Sequence, residues 1–427
     1  MAQKRKRIRI IIIILLFFTY FFLAARPVPR EIILAPGWIS SLTSSSHVGS
    51  SLVNNSLAYN TIESGSLDGD QAEEYEEPDN VTETQSVNFS DNNRVTNNRN
   101  LQYLPFNLGS HFGYVDISGQ FIIKKVITDN IYLSRNMWTE YASEPSNILI
   151  KNTREETIIN IDPVGAAQGY PILLDDRIFI ISSDQNSLSE IDKYGNIVWS
   201  YEFGAPLTCI DARAGLLLAG SLDGIIEIFN YTGERIFYFE PGGSRYAVIL
   251  GCAISHDGSR IGIISGIDQQ RFLLLERFGN TGGDFKVVYH EYLDTGFRRP
   301  VRILFIDEDQ RIVFERTGGI GCYNIRYRRG IFIPLDGEIY AVEDSGDRGY
   351  FFLVTSHGLS EKKLVGIRFS ADRWLPFSVF PDTDTIFMKA PFKSNDVFLS
   401  RIRLNDNGSM IVVGGGQTLI SFTLEEK

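Results

Sequence analysis

Two stretches of the chain set 38 residues apart, 177–203 (RIFIISSDQNSLSEIDKYGNIVWSYEF) and 215–241 (GLLLAGSLDGIIEIFNYTGERIFYFEP), follow one pattern. Ile178 falls on Leu216, Asp192 on Asn230, Gly195 on Gly233 and Trp199 on Phe237. Each reads as an apolar strand, a turn of small and acidic residues, a second strand, an Asp/Asn-x-x-Gly turn and an aromatic strand. Asp or Asn opens that turn because its side chain bonds nearby backbone N–H groups. Gly closes it because the backbone there favours positive φ.

Outward from this pair the same grammar continues. From residue 101 onward no helical periodicity occurs, and short β-rich runs such as RIGIISG, FLLLERF, RIVFER, YFFLVTS and MIVVGGG alternate with Gly, Asp and Asn turns. Asp116-Ile117-Ser118-Gly119 lies two 38-residue steps before Asp192, and Asn152 marks the turn between them. Units centred near 150, 185, 222, 266, 318, 355 and 412 give a count of seven. A unit of about 40 residues with four strands cannot bury both sheet faces alone, whereas radial stacking buries them and leaves only short edges. The expected fold is therefore all-β, a β-propeller of about seven four-stranded blades over 101–427. A linear solenoid would need capping repeats, and a sandwich would not explain the offset. The run GYVDISGQFI precedes the first full unit, and TLISFTL leaves little room for a further strand at the end. The N-terminal segment of the folded region, which holds that first run, is thus expected to supply an outer strand to the last blade.

The repeat Ala219-Gly220-Ser221-Leu222-Asp223-Gly224-Ile225-Ile226-Glu227-Ile228-Phe229-Asn230-Tyr231-Thr232-Gly233-Glu234-Arg235-Ile236-Phe237 resembles that of the PQQ-like propellers, with Phe where that family often carries Trp. Residues 178–199 keep the aromatic as Trp199, and HDGSRIGII and DNGSMIVVG are similar to WD40-type blades. The resemblance implies a fold and a capacity for protein contacts, not a chemistry. Membrane-tethered PQQ-like propellers of bacterial envelopes include the accessory subunit of the outer-membrane β-barrel assembly machine, a comparison at the level of fold.

The N-terminal quarter has a different composition. The chain has 427 residues, 43% hydrophobic and 22% charged, enough for a large core, so neither a disulfide-stapled miniprotein nor a wholly disordered chain fits. Its net charge of −11 argues against a general nucleic-acid binder. Residues 1–30 hold seven basic residues and no acid, whereas 31–93 hold eleven acids and no Lys or Arg. A basic end, 1–9, precedes the apolar run 10–25; as a helix, 8–25 would be roughly 27 Å long, enough for a bilayer core. The positive-inside rule keeps the N-terminus cytoplasmic and exports the rest, into the bacterial periplasm on this reading. A signal anchor is preferred to a cleaved signal peptide because the run is long and Leu23-Ala24-Ala25 is a poor cleavage site. Residues 26–100, rich in Ser, Asn, Gly and acids, read as a disordered acidic linker with a reach of roughly 50 Å.

Catalytic signatures are sparse. The histidines His47, His111, His256, His290 and His357 form no short ligand spacing, and neither GxSxG nor a Walker-type loop occurs. No cofactor or metal is expected, and a quinone site would call for adjacent cysteines and a regular tryptophan docking motif. A carboxylate pair at the axis stays open, since blades bring distant acids together there. Cys209, Cys252 and Cys322 sit in apolar strand settings as buried thiols, with Cys209 and Cys252 the one pair placed to bridge. Arg298, Arg299, Arg302, Arg311, Arg316, Arg326, Arg328 and Arg329 cluster within an otherwise acidic chain. The ordinary reading is a solvated edge that blocks strand pairing. The sharper one is docking of an acidic partner, anionic headgroups or the chain's own acidic stretch, through Arg298, Arg299, Arg302, Arg326, Arg328 and Arg329. Together these features predict no enzyme but a membrane-tethered, extracytoplasmic scaffold for envelope proteins. The alternative is a propeller enzyme or a small-ligand or glycan binder using the axial funnel.

Overall fold

The computed structural model of the protein describes residues 32–42, 103–145, 147–162, 164–174, 176–278, 284–294, 296–345, 349–369, 385–404 and 409–426. Their strands pair into eight small antiparallel sheets, seven of four strands and one of three. In chain order the blades cover 103–126, 130–161, 170–202, 207–239, 249–292, 303–334, 338–393 and 397–426. The first strands of neighbouring blades touch one another around a central axis, and the fourth strands form the outer wall. We letter the strands a to d outward. Antiparallel pairing then places the a–b and c–d turns on one face, called lower, and the b–c turns and blade-to-blade links on the upper face.

Burial follows the layering. The second strand of blade 4, Leu216–Ser221, is buried at every position because a blade packs on each of its faces. Between blades 4 and 5, Leu218 and Ile228 pack against Ile249, Ile263 and Leu273. The outer strands alternate instead, as in Ile197–Glu202, where Trp199 turns inward and Ile197 and Val198 outward.

Two expectations are corrected. The ring has eight blades, not seven, because 103–126, read above as a lead-in, is itself a blade, with three strands among the described residues. The linker expected over 26–100 contains the strand Ile32–Ser41, which pairs with Thr418–Glu426 as the outer strand of blade 8. The composition of the whole segment masked a local run, IILAPGWIS, of good strand formers. The last blade is thus closed by an N-terminal strand, but by residues 32–41 and not by the run GYVDISGQFI, which belongs to blade 1. Only residues 26–31 separate the apolar run from the ring, so the 50 Å reach assigned above does not lie between them. The apolar run 10–25 and residues 43–102 lie outside the described residues, among which no helix is long and apolar enough to cross a membrane.

Among the described residues blade 1 shows three strands and no innermost one. The Asp116–Gly119 turn of this blade matches the c–d turns of blades 2 to 4, so Tyr103–Leu108, His111–Asp116 and Phe121–Val126 correspond to strands b, c and d. The turn at Gly109 agrees, since its α-carbon lies beside Gly416 and Asp396 on the upper face, where b–c turns belong.

Candidate functional site

Four consecutive blades repeat one turn on the lower face. In each, the first residue's Oδ1 accepts the amides two and four positions on. Asp116 takes Ser118 and Gln120 at 2.8 and 2.9 Å, and Asn152 takes Arg154 and Glu156 at 2.8 and 3.0 Å. Asp192 takes Tyr194 and Asn196, both at 2.8 Å, and Asn230 takes Thr232 and Glu234, both at 3.0 Å. The fourth residue adopts positive φ each time: Gly119, Glu155, Gly195 and Gly233. These bonds hold the Asp192 carboxyl below its ordinary range, led by the Asn196 amide. With the backbone spent on the turn, the second and third side chains point into solvent. Tyr194 is 72% and Tyr231 70% exposed, and Ile117 is exposed as well. Blade 6 makes a related turn in which Asn324 Oδ1 accepts the Tyr327 amide at 3.0 Å and Arg328 takes positive φ. The lower rim thus presents aromatic and basic side chains from several blades, residue types enriched at protein interfaces.

The arginines singled out by sequence do not form one patch. Arg326, Arg328 and Arg329 are exposed at the lower turn of blade 6, with the Arg326 guanidinium 5.6 Å from the Tyr327 ring centre. Arg298, Arg299 and Arg302 lie on the link entering blade 6 from the upper face, separated from the first group by strands about 20 Å long. Arg299 is committed to buried Glu315, with bonds of 2.6 and 3.0 Å that hold its guanidinium firmly charged. Of the remaining two, Arg311 is buried against Asp307 at 3.1 Å and Arg316 meets Glu291 at 3.2 Å.

The axis holds a group that the sequence did not single out. Glu343, in strand Glu338–Asp344 of blade 7, has its pKa pushed up to about 7 by burial, opposed by Arg401. It also feels Asp344, Arg213 and Arg135. These residues come from blades 8, 7, 4 and 2, and only a position beside the axis is near all of them. Part of the Glu343 surface is solvent-accessible, yet protein surrounds it on all sides, as a place within a channel requires. Arg401 also approaches Asp344 at 3.6 Å. Its only sequence signal was a charged Glu-Asp pair ending an apolar strand. Nearer the upper face a cavity of about 380 Å³ is lined by Pro105, Phe106 and Asn107, by Ile131, Tyr132 and Leu133, and by Phe398.

Cys209, Cys252 and Cys322 are thiols. A hydrogen bond to Cys209, reinforced by burial, pushes the Cys252 thiol well above its ordinary value, so the one pair placed to bridge is in contact but unbridged. No group of three or more His, Cys, Asp and Glu side chains among the described residues is arranged to hold a metal ion.

A family described as beta-propeller protein matches residues 1–405 of the chain. An uncharacterized protein of Treponema pallidum (strain Nichols) is 28% identical over 235 residues, which is 55% of this chain. The match spans 60% of that relative's length. Among solved structures, the computationally designed Ika8 protein superposes with a TM-score of 0.52 at 11% identity, over 76% of this chain and 96% of its own. Saccharomyces cerevisiae Sqt1 gives 0.52 at 11% identity over 76% and 93%. BamB from Moraxella catarrhalis gives 0.48 at 13% identity over 76% and 94%. At such identities the likeness is one of fold alone.

Proposed function

We propose that this chain, which belongs to the beta-propeller protein family, is a membrane-anchored scaffold that binds other proteins of a bacterial cell envelope through its lower rim. The observation that carries the reading is the turn repeated in blades 1 to 4. It fixes the backbone with side-chain hydrogen bonds and holds Ile117, Tyr194 and Tyr231 in the solvent. A backbone already fixed before contact lowers the entropy lost on binding, and a row of exposed side chains from successive blades makes a broad surface. Arg326, Tyr327 and Arg328 extend that row on blade 6.

The basic end 1–9 and the apolar run 10–25 support an anchor whose N-terminus is cytoplasmic. Six residues, at most about 22 Å of extended chain, would then join it to Ile32, which enters blade 8 at the lower face. The lower rim would therefore work close to the bilayer. The test is a photo-crosslinking amino acid at Tyr231 in the full-length protein in intact source cells. Adducts to one or two envelope proteins are expected, and a rim that yields none would overturn the reading.

A second reading, a small-ligand binder at the axis, is favoured by Glu343 standing among Arg135, Arg213 and Arg401. Thermal shifts of the purified protein against anionic metabolites and glycans test it, and Arg401→Gln should abolish a shift caused by an anion bound there.

A further inference from the structure

We infer that Cys209 and Cys252 form a modification site, which a low-molecular-weight disulfide converts into a reversible bond between the innermost strands of blades 4 and 5. This chemistry stands apart from the scaffold reading and holds whichever partner the rim takes.

The two thiols belong to strands Leu207–Arg213 and Ile249–Ile254, which lie side by side around the axis. Hydrogen bonds pin these strands on both sides of the pair. Before it, Thr208 Oγ1 donates to the Ile249 carbonyl at 2.5 Å; beyond it, the Ile254 amide donates to Asp211 Oδ2 at 2.8 Å. Cys252 is part of the core between the two blades, and Cys209 packs against that core. Gly220, which pairs with Cys209, leaves the room that the thiol fills, since a β-carbon there would lie 2.7 Å from Cys209 Sγ. The two thiols are already hydrogen-bonded to each other. Joining them asks for rotation of two side chains and a small approach of the strands, not for a rearranged ring. Cys322 packs in a separate core, between blades 6 and 7, and takes no part.

Exposure sets the order of events. Cys209 is partly exposed and Cys252 is buried, so the reagent meets Cys209 first. The Cys209 thiolate attacks one sulfur of the small disulfide, whose S–S bond breaks and whose other half leaves as a thiolate and takes up a proton. Cys252 then gives its proton to solvent and attacks the Cys209 sulfur, and the new S–S bond forms as the second half of the reagent leaves. Two protein thiols are oxidised while one small disulfide is reduced to two thiols. The Cys252 thiol is held well above its ordinary value by its bond to Cys209 and by burial, and the burial persists after the first step. The second step is therefore slow at pH 7 and faster at pH 9. A cross-link over this span constrains the unfolded chain, so the bridged ring should melt about 3–8 °C higher.

The experiment treats the full-length protein with cystamine at pH 7 and pH 9, quenches it in acid and alkylates the remaining thiols with N-ethylmaleimide in denaturant. Trypsin cuts between the two cysteines at Arg213 and Arg245, and the peptides are read without reduction. The expected product joins the Cys209 and Cys252 peptides, forms several-fold faster at pH 9, leaves Cys322 as the alkylated residue and carries the rise in melting temperature. Dithiothreitol should reverse both bond and rise. Cys252→Ala should stop at a cysteamine adduct on Cys209 and lose the rise. Should that buried change unfold the ring, Cys209→Ala at the partly exposed position decides, with Cys252 recovered as a thiol. A lasting adduct on Cys209 in the parent, a bridge that forms only in denaturant, or one that leaves the melting temperature unmoved would overturn the site. Adducts from Tyr231 report on the scaffold reading separately, so either result leaves the other standing.

Discussion

The indole of Trp38 lies over the α-carbon of Gly119, so close that a β-carbon on Gly119 would overlap the ring. Trp38 belongs to the outer strand of blade 8 and Gly119 to the repeated turn of blade 1. The same pairing recurs between Trp199 of blade 3 and Gly233 of blade 4. At the junction of last and first blades, Trp38 Nε1 also donates to the Ile117 carbonyl at 3.0 Å, and Ser40 Oγ donates to the Gly119 carbonyl at 2.6 Å. Chain ends 383 positions apart are joined as well, by the Trp38 amide donating to Ser421 Oγ at 2.7 Å. The residues that close the ring thus reuse the contact that stacks its blades.

Trp38→Ala should cost about 2–4 kcal/mol, since it empties a half-buried aromatic site and one hydrogen bond. Gly119→Ala should cost about 1–3 kcal/mol, because φ is +84° and the ring leaves no space for a methyl group. Chemical denaturation of both variants checks the pair. In the double variant the penalties should combine to less than their sum, since the indole that excludes the methyl group is gone.

Shortening residues 43–102 to about a dozen Gly and Ser residues should leave the ring folded and stabilise it by about 1 kcal/mol through a smaller loop-closure cost. Removing 32–41 should lower the melting temperature and promote aggregation, because strand Thr418–Glu426 then becomes an open edge. Thermal melts with light scattering distinguish the two deletions.

Glu343 makes stability depend on pH with a definite sign. Its carboxyl titrates near 7 in the fold against an ordinary 4.5, so between these values the folded state holds the extra proton. Stability contributed by this group is full below about pH 4.5, falls as the pH rises, and is lost above about 7. Glu343→Gln removes that dependence, so the variant should gain about 3 kcal/mol on the parent at pH 8 relative to their difference at pH 4. Urea unfolding at the two pH values measures it.

Cys252 and Cys322 are buried, and Cys252 has its thiol pushed up by Cys209 and by burial. A raised thiol pKa leaves less thiolate, the nucleophilic form. Iodoacetamide at pH 8 should therefore modify neither residue in the folded protein and all three cysteines in denaturant, as read by peptide mass spectrometry.

The fold was legible wherever a repeat was complete. Asp192–Gly195 and Asn230–Gly233 share both sequence and turn geometry, so the offset between them leads directly to stacked blades. Blade 1 was obscured because its described strands, 103–126, carry only a short signature, with Asp116-Ile117-Ser118-Gly119 as its clearest trace. Trp38 was hidden by polar surroundings, although a Trp at the position equivalent to Trp199 would have identified the closing strand. The arginine run misled for a different reason. Residues adjacent in sequence at the two ends of a strand face opposite ends of a blade; Arg299 and Arg316 answer acids of other strands, and Arg311 is buried against Asp307 in the turn before its own strand. Glu343 was invisible because its partners lie up to 208 positions away, at Arg135.

The scaffold reading turns on whether the lower rim captures a partner. Affinity capture from intact source cells should compare the parent with Tyr194→Ser/Tyr231→Ser, with Arg326→Ser/Arg328→Ser/Arg329→Ser, and with Arg299→Ser. The account predicts that the tyrosine variant loses most of the recovered partner and that the triple arginine variant loses capture in a salt-sensitive way, both at normal melting temperature. Arg299→Ser, which strands the buried Glu315 carboxylate, should instead lose about 2–4 kcal/mol of stability and keep its capture while folded. Equal recovery of the partner by the parent and both rim variants would contradict the central claim.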